Sequence, residues 1–370
     1  MKTGLLPGLL LFVTTILFGS VSVAEVRHAQ NFTLETKADG IYEITVRNAW
    51  KGSQEVFRYC LIREGLDFPA PANENVKVVR IPVKRVIALS TTYLSSIDVL
   101  GEADSLIGVS AFKHINSPSV LRRIESGAMI ELGSGSSINI EKIVASEPDV
   151  VFATALGNGN EIHPVLDRFG VFAALSSAWL ETSALGRAEW IKFYGAFYDK
   201  LAEAESYFDA IENDYQALCK LTATVQDRPT VLCNAPWGGS WYVPGGDSYV
   251  AKMIEDAGGS YLWRDNTDIG STPMDYESVY SKGIEADFWI HTIQFDTMEA
   301  LCGSDERFRE FRSVVDGLVF NNTKRVNSYG GNDVWERGVV HPEEILADLI
   351  YILHPELLPD HEWVYYRKLP

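Results

Sequence analysis

The chain has 370 residues, 46% of them hydrophobic, with 32 basic against 50 acidic side chains and a formal charge of −18. This apolar content excludes an intrinsically disordered chain, and the length allows two lobes with cores of their own. Basic residues are scattered or occur as short pairs such as Arg122-Arg123, which excludes a nucleic-acid partner because phosphate backbones need a basic footprint.

Lys2 is followed by LLPGLLLFVTTILFG and then by the small residues SVSVA. This pattern reads as a secretory signal over residues 1–24, cleaved after Ala24. A membrane anchor is the alternative, but the apolar run is short for a span. No cysteine lies near the cleavage site to carry a lipid. The mature protein is therefore expected to be soluble and monomeric in a periplasm or another extracytoplasmic space. An exported chain can hold disulfides. Cys60, Cys219, Cys233 and Cys302 match no metal spacing and allow three pairings. Cys233 with Cys302 is favoured because both fall in the same lobe, and a core role for all four is an equal alternative.

Residues 25–80 read as an N-terminal β extension. FTLETKADGIYEITVRNAW alternates, turns at Asp39-Gly40 and resumes; EVFRYCLI and VKVVRIPV are further strands, with Pro69, Pro71 and Asn73 marking the loop between them. Lobe 1, residues 81–184, alternates strand and helix. RVIALS is a buried-type strand, Thr91 or Thr92 caps the helix that follows, and LIGVS is the next strand. Ser137 or Asn139 caps a helix with Ile140, Ile143 and Val144 inward, Pro148 stops it, and DVVFAT and VFAAL are strands. Residues 185–221 read as one long bracing helix, well beyond the usual three or four turns. Lobe 2, residues 222–370, restarts the pattern. Its strands are PTVLCN, DFWIHT and RVNSY, and its helices are DSYVAKMIEDAGG, DYESVYSKGIEA, RFREFRSVV and PEEILADLIYILHPEL. INIEKIVASEPDVVFAT in lobe 1 is echoed by MDYESVYSKGIEADFWIHT in lobe 2. The predicted class is α/β: two Rossmann-like three-layer lobes joined by one long helix, with a cleft between them.

No catalytic motif emerges. GSGSS and PGGDS fit neither nucleotide fingerprint, GxSxG and HExxH are absent, and the seven histidines are dispersed. The stronger signal is aromatic side chains in polar or glycine-rich loops. Trp237, Trp241 and Tyr242 sit in one strand-to-helix loop, Tyr93 in the corresponding loop of lobe 1, Trp179 before the brace and Trp335 before the last helix. Flat rings there suit a bulky planar ligand, with core packing as the alternative for each. Arg337 and Arg264 are candidates for ligand oxygens, with surface salt bridges as the alternative.

In order and spacing, RVIALSTTYLSSIDVLGEADSLIGVS, GSGSSINIEKIVASEPDVVFAT, GGDSYVAKMIEDAGG and RVNSYGGNDVWERGVVHPEEILADLIYILHPEL resemble the substrate-binding proteins of ABC importers for iron-siderophores, haem and cobalamin. The resemblance spans roughly residues 81 to 358. It implies two lobes on a rigid helix, no catalysis, no intrinsic cofactor, and delivery of a metal chelate to a membrane permease. It also implies that Glu141 and Glu255 dock on the permease by charge complementarity. Direct ligation of haem would fall to Tyr93, Tyr242 or His291. The β extension and the Thr91-Thr92-Tyr93 loop depart from the family pattern and leave the cargo open. A metal-binding enzyme component of similar architecture and a sensor or adhesion module are the alternatives.

Overall fold

The computed structural model describes residues 25–68 and 75–370. The expected signal segment and the loop at Pro69, Pro71 and Asn73 lie outside the described residues. Four strands form the N-terminal sheet in the order β1 (Phe32–Ala38), β2 (Ile41–Val46), β3 (Phe57–Arg63), β4 (Val76–Ile81), with β4 parallel to β3. The β1–β2 turn falls at Asp39-Gly40. Gly40 has φ +71°, and a Cβ there would lie 2.8 Å from the Arg63 guanidinium. One face of the sheet carries Phe32, Leu34, Ile44, Tyr59 and Ile81 into the core of lobe 1. The Leu175 amide donates to the Tyr59 hydroxyl at 3.0 Å. The extension is thus a layer of lobe 1.

Lobe 1 comprises β5 (Val86–Ala88), α1 (Leu94–Val99), β6 (Leu106–Val109), α2 (Pro118–Glu125), β7 (Ile130–Glu131), α3 (Ile140–Ala145), β8 (Val150–Ala153), α4 (His163–Arg168) and β9 (Ala173–Leu175). The sheet order is β7-β6-β5-β8-β9, all parallel. Every residue of β5 and β8 is buried, as a sheet covered on both faces requires. Asn139 caps α3 by accepting the Lys142 amide at 2.8 Å.

The brace differs from the single helix expected over 185–221. It is three helices: α5 (Ala184–Ala188), α6 (Ile191–Phe197) and α7 (Leu201–Thr222). The chain reverses at Asp199, whose φ is +56°. That conformation is costly for a residue with a Cβ. Here it is held by Arg63 and by the Tyr42 hydroxyl at 3.1 Å, both bonded to the Asp199 carboxylate. Gly195 lets α6 meet α7, since a Cβ there would lie 2.6 Å from that of Ala204.

Two buried carboxylates fasten residues 27–31 to this brace. Glu189 accepts the amides of Arg27, His28 and Ala29 at 2.7–2.9 Å and the Lys192 ammonium at 2.7 Å. Glu181 accepts the amides of Gln30 and Asn31 and the Trp190 indole at 2.8–3.0 Å. Burial pushes the Glu189 carboxyl up, but Lys192 and the amides outweigh it and hold its pKa below the ordinary value.

Lobe 2 comprises β10 (Thr230–Cys233), β11 (Pro236–Trp237), β12 (Ser240–Pro244), α8 (Tyr249–Asp256), β13 (Ser260–Tyr261), β14 (Ser271–Met274), α9 (Tyr276–Gly283), β15 (Phe288–Ile290), α10 (Met298–Ser304), α11 (Arg312–Val315), β16 (Val319–Asn321), α12 (Pro342–Leu353) and β17 (Arg367–Lys368). The main sheet runs β13-β10-β15-β16-β17, with β17 antiparallel, and β11-β12-β14 form a small separate sheet. The strand expected at RVNSY is instead β16, six residues earlier, where Val319, Phe320 and Asn321 are all buried. Residues 325–329 carry a single aliphatic side chain and lie in a loop, with Val326 bridging Asn332. All four cysteines are free thiols, so Cys233 and Cys302 are not bonded; both are packed in the core.

Removing one member of a buried, hydrogen-bonded ion pair leaves the other charge uncompensated. Glu189→Ala is therefore expected to cost about 3–5 kcal/mol, read as a lower midpoint in denaturant unfolding. Glu189→Gln, which keeps an acceptor, should cost less.

Candidate functional site

In an open parallel sheet, ligands bind beyond the carboxyl ends of the strands where the strand order reverses. In lobe 1 that point lies between β5 and β8, and in lobe 2 between β10 and β15. The two carboxyl edges face each other. The loop after β6 is bonded to the loop after β16, where the Asn116 and Ser117 amides donate to the Glu336 carboxylate at 2.6 and 3.0 Å. Arg187 of α5 also lies over the Tyr249 ring of α8, 4.2 Å from its centroid.

At the lobe 1 reversal the Tyr93 hydroxyl is bonded to Thr154. A hollow of 660 Å3 opens beside Thr154, walled by Leu89, Ile138, Leu156 and Ile162, a size suited to a small-molecule ligand. Its outer loop is pre-formed: Glu161 accepts the amides of Leu156, Gly157 and Asn158 at 2.7–3.2 Å. Gly157, with φ +72°, lies flat against Trp50, leaving no room for a Cβ. The β extension thus supports a wall of the cleft. It also reaches lobe 2, where Lys51 pairs with Asp268 at 3.2 Å.

At the lobe 2 reversal Asn234, His291 and Ile293 all have positive φ, at 65°, 59° and 54°. Such clusters of costly backbone mark sites where geometry is imposed by the surroundings. The His291 imidazole is bonded to the Tyr366 hydroxyl, and burial lowers its pKa to about 4, so it is neutral at physiological pH. It borders an apolar cavity of 40 Å3 that also touches Trp335 and Val339. That space holds about one water and is too small for a chelate.

The sequence-predicted aromatics separate by exposure. Trp237 is 68% exposed, Trp335 44%, and Trp179 and Tyr242 39% each; all lie on loops or the hairpin beyond the strand ends. Trp241 is 0% exposed, stacked on Trp289 at 5.5 Å with its indole donating to the Cys233 carbonyl. Tyr93 is 2% exposed and packs on Tyr194. These two rings form the floor behind the cleft and offer no free face to a ligand. Tyr329, Leu156 and Ile293 are exposed on the same set of loops and escaped the sequence reading. Their signal was the glycine- and asparagine-rich surroundings of Tyr329 and Leu156.

The basic residues of the last loop are committed within the protein. Arg337 forms a fork with Glu344, one arm at 2.7 Å, and reaches the Tyr365 hydroxyl at 3.0 Å, so its expected role toward ligand oxygens is already filled. Arg325 pairs with Asp333 at 2.6 Å, and Lys324 donates to the Trp363 carbonyl. Arg264 lies by Ser260 in a polar hollow shared with Glu255. His341, Glu343 and Glu344 bring a nitrogen and two carboxylate oxygens within 4.8 Å of one another. The grouping could hold a cation, but Arg337 neutralises Glu344 and the Tyr207 hydroxyl holds the other His341 nitrogen at 2.7 Å. Glu141, in the first turn of α3, and Glu255, near the end of α8, are both exposed; Glu255 pairs with Lys252 at 3.1 Å.

Two α/β lobes on a helical brace, with a cleft between their carboxyl edges, form the architecture of a two-lobed binding protein. The chain belongs to the periplasmic binding protein family, whose profile matches residues 86–306. Proteins of this family bind solutes for ABC importers and are not enzymes, and this chain is an extracytoplasmic substrate-binding protein of that superfamily. It is 28% identical over 324 residues to an uncharacterised lipoprotein of Methanocaldococcus jannaschii, spanning 82% of this chain and 74% of that protein. It is 24% identical over 261 residues to a cobalamin-binding protein of Halobacterium salinarum, spanning 66% of this chain and 64% of the relative. An ABC transporter substrate-binding protein from Listeria monocytogenes shares the fold, with a TM-score of 0.55 at 18% identity over 74% of this chain and 99% of that one.

A buried neutral histidine contributes stability above its unfolded pKa that is lost as the pH falls through its folded one. For His291 the window runs from about 6.5 down to about 4. The melting temperature is expected to fall across that window, and more shallowly in His291→Gln.

Proposed function

We propose that the cleft captures a neutral, amide-rich metal chelate of the corrinoid type and that the closed form delivers it to an ABC permease. The observation that carries this reading is the pairing of exposed rings with committed cations. Trp237, Tyr242 and Trp335 present apolar faces, while Arg325 and Arg337 are bonded to Asp333 and Glu344. Rings recognise a macrocycle face and its apolar rim. A carboxylate-bearing ligand such as haem would call for free arginine forks. The named activity of the Halobacterium salinarum relative points the same way.

The test is fluorescence titration of the purified protein with hydroxocobalamin, haemin and a ferric siderophore. Hydroxocobalamin is expected to quench tryptophan emission and bind at least 10-fold tighter than haemin. A preference for haemin or the siderophore would overturn the corrinoid assignment. In the double variant Trp237→Ala/Trp335→Ala, hydroxocobalamin affinity should fall by at least 10-fold, the scale of losing two aromatic anchors. The unfolding midpoint should be nearly unchanged, as for exposed positions generally.

Glu141 and Glu255 are the proposed docking points, one on each lobe. Charge pairs at such surfaces set orientation and association rate. Glu141→Ala/Glu255→Ala should leave chelate affinity intact and lower cargo-stimulated ATP hydrolysis by the reconstituted permease. Full stimulation would place the docking surface elsewhere.

A further inference from the structure

The loop after β16 does more than present Trp335. The Glu336 side chain, 1% exposed, crosses to lobe 1 and accepts the Asn116 and Ser117 amides, which precede α2. Asn327, in the same loop, donates to the Lys113 and Ile115 carbonyls at 3.1 Å each. Its side-chain oxygen, Oδ1, accepts the amides of Tyr329 and Gly331 at 2.9 Å. Gly331 lies so close to lobe 1 that a Cβ would fall 2.5 Å from the His114 carbonyl oxygen. Two exposed rings, Tyr329 and Trp335, are therefore carried on a segment pinned at both ends to the opposite lobe.

We propose that Glu336 and Asn327 are positioning residues that latch the two lobes in the closed arrangement, and that closing takes up a proton at Glu336. The latch is argued from the bonds between the lobes, and only its effect on cargo rests on the corrinoid reading. When the lobes part, Glu336 loses its cover and becomes an ordinary solvated carboxyl. When they close, burial raises its pKa to about 7, although the Asn116 and Ser117 amides pull the other way.

The surrounding charges do not reverse this. Asp333, on the same loop, repels the carboxylate and is paired with Arg325. Asp98 of α1 is turned to the Ser117 and Ser119 hydroxyls. Arg337 is held by Glu344, and Lys113 and His114 are exposed on the facing loop. The sign follows from linkage: the state that binds the proton more tightly gains as the pH falls. Closure is favoured at pH 5 and weakened through pH 7, with a full effect approaching ~10²-fold.

The experiment is hydrogen exchange at the Asn116 and Ser117 amides of the cargo-free protein between pH 5 and pH 8, corrected for intrinsic exchange. Protection is expected to fall at least 10-fold across that range in the wild type and to be flat in Glu336→Gln. Asn327→Ala should lower protection at every pH and keep the slope. It serves as the second variant should Glu336→Gln fail to fold. Flat protection in the wild type, or an unchanged slope in Glu336→Gln, overturns the proposal, as does unaltered protection in Asn327→Ala. Hydroxocobalamin affinity measured in parallel should rise toward pH 5. If hydroxocobalamin does not bind while the exchange slope is present, the corrinoid reading fails and the latch stands.

Discussion

The arrangement depends on one interaction: the buried Glu189 carboxylate with Lys192 and three backbone amides of the amino-terminal segment. Glu189 stands between α5 and α6, at the root of the brace. A charge placed there without partners would destabilise the protein severely. Satisfied from both sides, it ties residues 27–29 to the helices that join the lobes. Glu181 continues the same clamp to Gln30 and Asn31 and holds the Trp190 indole. β1 therefore begins from a fixed point. The sheet it starts packs Phe32 on Trp190 and Phe193, inside the aromatic layer that also takes Phe152 and Phe197. The extension, lobe 1 and the brace consequently share one core.

That shared core bears on the cleft. Trp50 follows the extension's second strand and lies on Gly157, and Phe57 packs edge-on to His163 at 5.3 Å. The loop carrying Leu156 is thus held from behind by the extension and from within by Glu161. In lobe 2 the equivalent work falls to the hairpin of β11 and β12, whose Trp241 is anchored on Trp289 while Trp237 and Tyr242 stand outward. Both walls of the proposed site are thus pre-formed, which limits the conformational freedom a ligand would have to freeze.

Much of this was legible in the sequence. The α/β alternation could be read because parallel strands covered on both faces appear as short apolar runs, as in VIA and VVFA. The division between Trp241 and Tyr242 was missed, because both were read as loop residues although SWYVP alternates in a strand and successive residues face opposite ways. The break in the brace was not legible. No Gly or Pro stands at the turn itself, residues 198–200, and the residue that turns the chain, Asp199, is stabilised by Arg63 from 136 positions away. The commitment of Arg337 was equally hidden. Its partner Glu344 looked like a first-turn charge on α12, and only the fold brings Tyr365 to the same guanidinium. In both of these cases what the sequence hid was a polar side-chain contact, which leaves no periodic trace.

The same contacts bear on how the lobes move. α7 is continuous for 22 residues and packs along α12, so the two lobes cannot swing freely about a loop. The loop after β16, which packs on α5 of the brace, joins the lobes through Glu336 and Asn327, whose partners are mostly backbone groups of the segment ahead of α2. Backbone partners fix position more tightly than long side chains, because they carry no rotamer freedom of their own. Any separation of the lobes at this contact must then break a small set of bonds beside the brace. Those bonds belong to the loop that carries Tyr329 and Trp335, so whatever presses on the rings also loads the contact between the lobes. In the proposed mechanism, cargo binding and lobe separation are therefore coupled through the loop after β16.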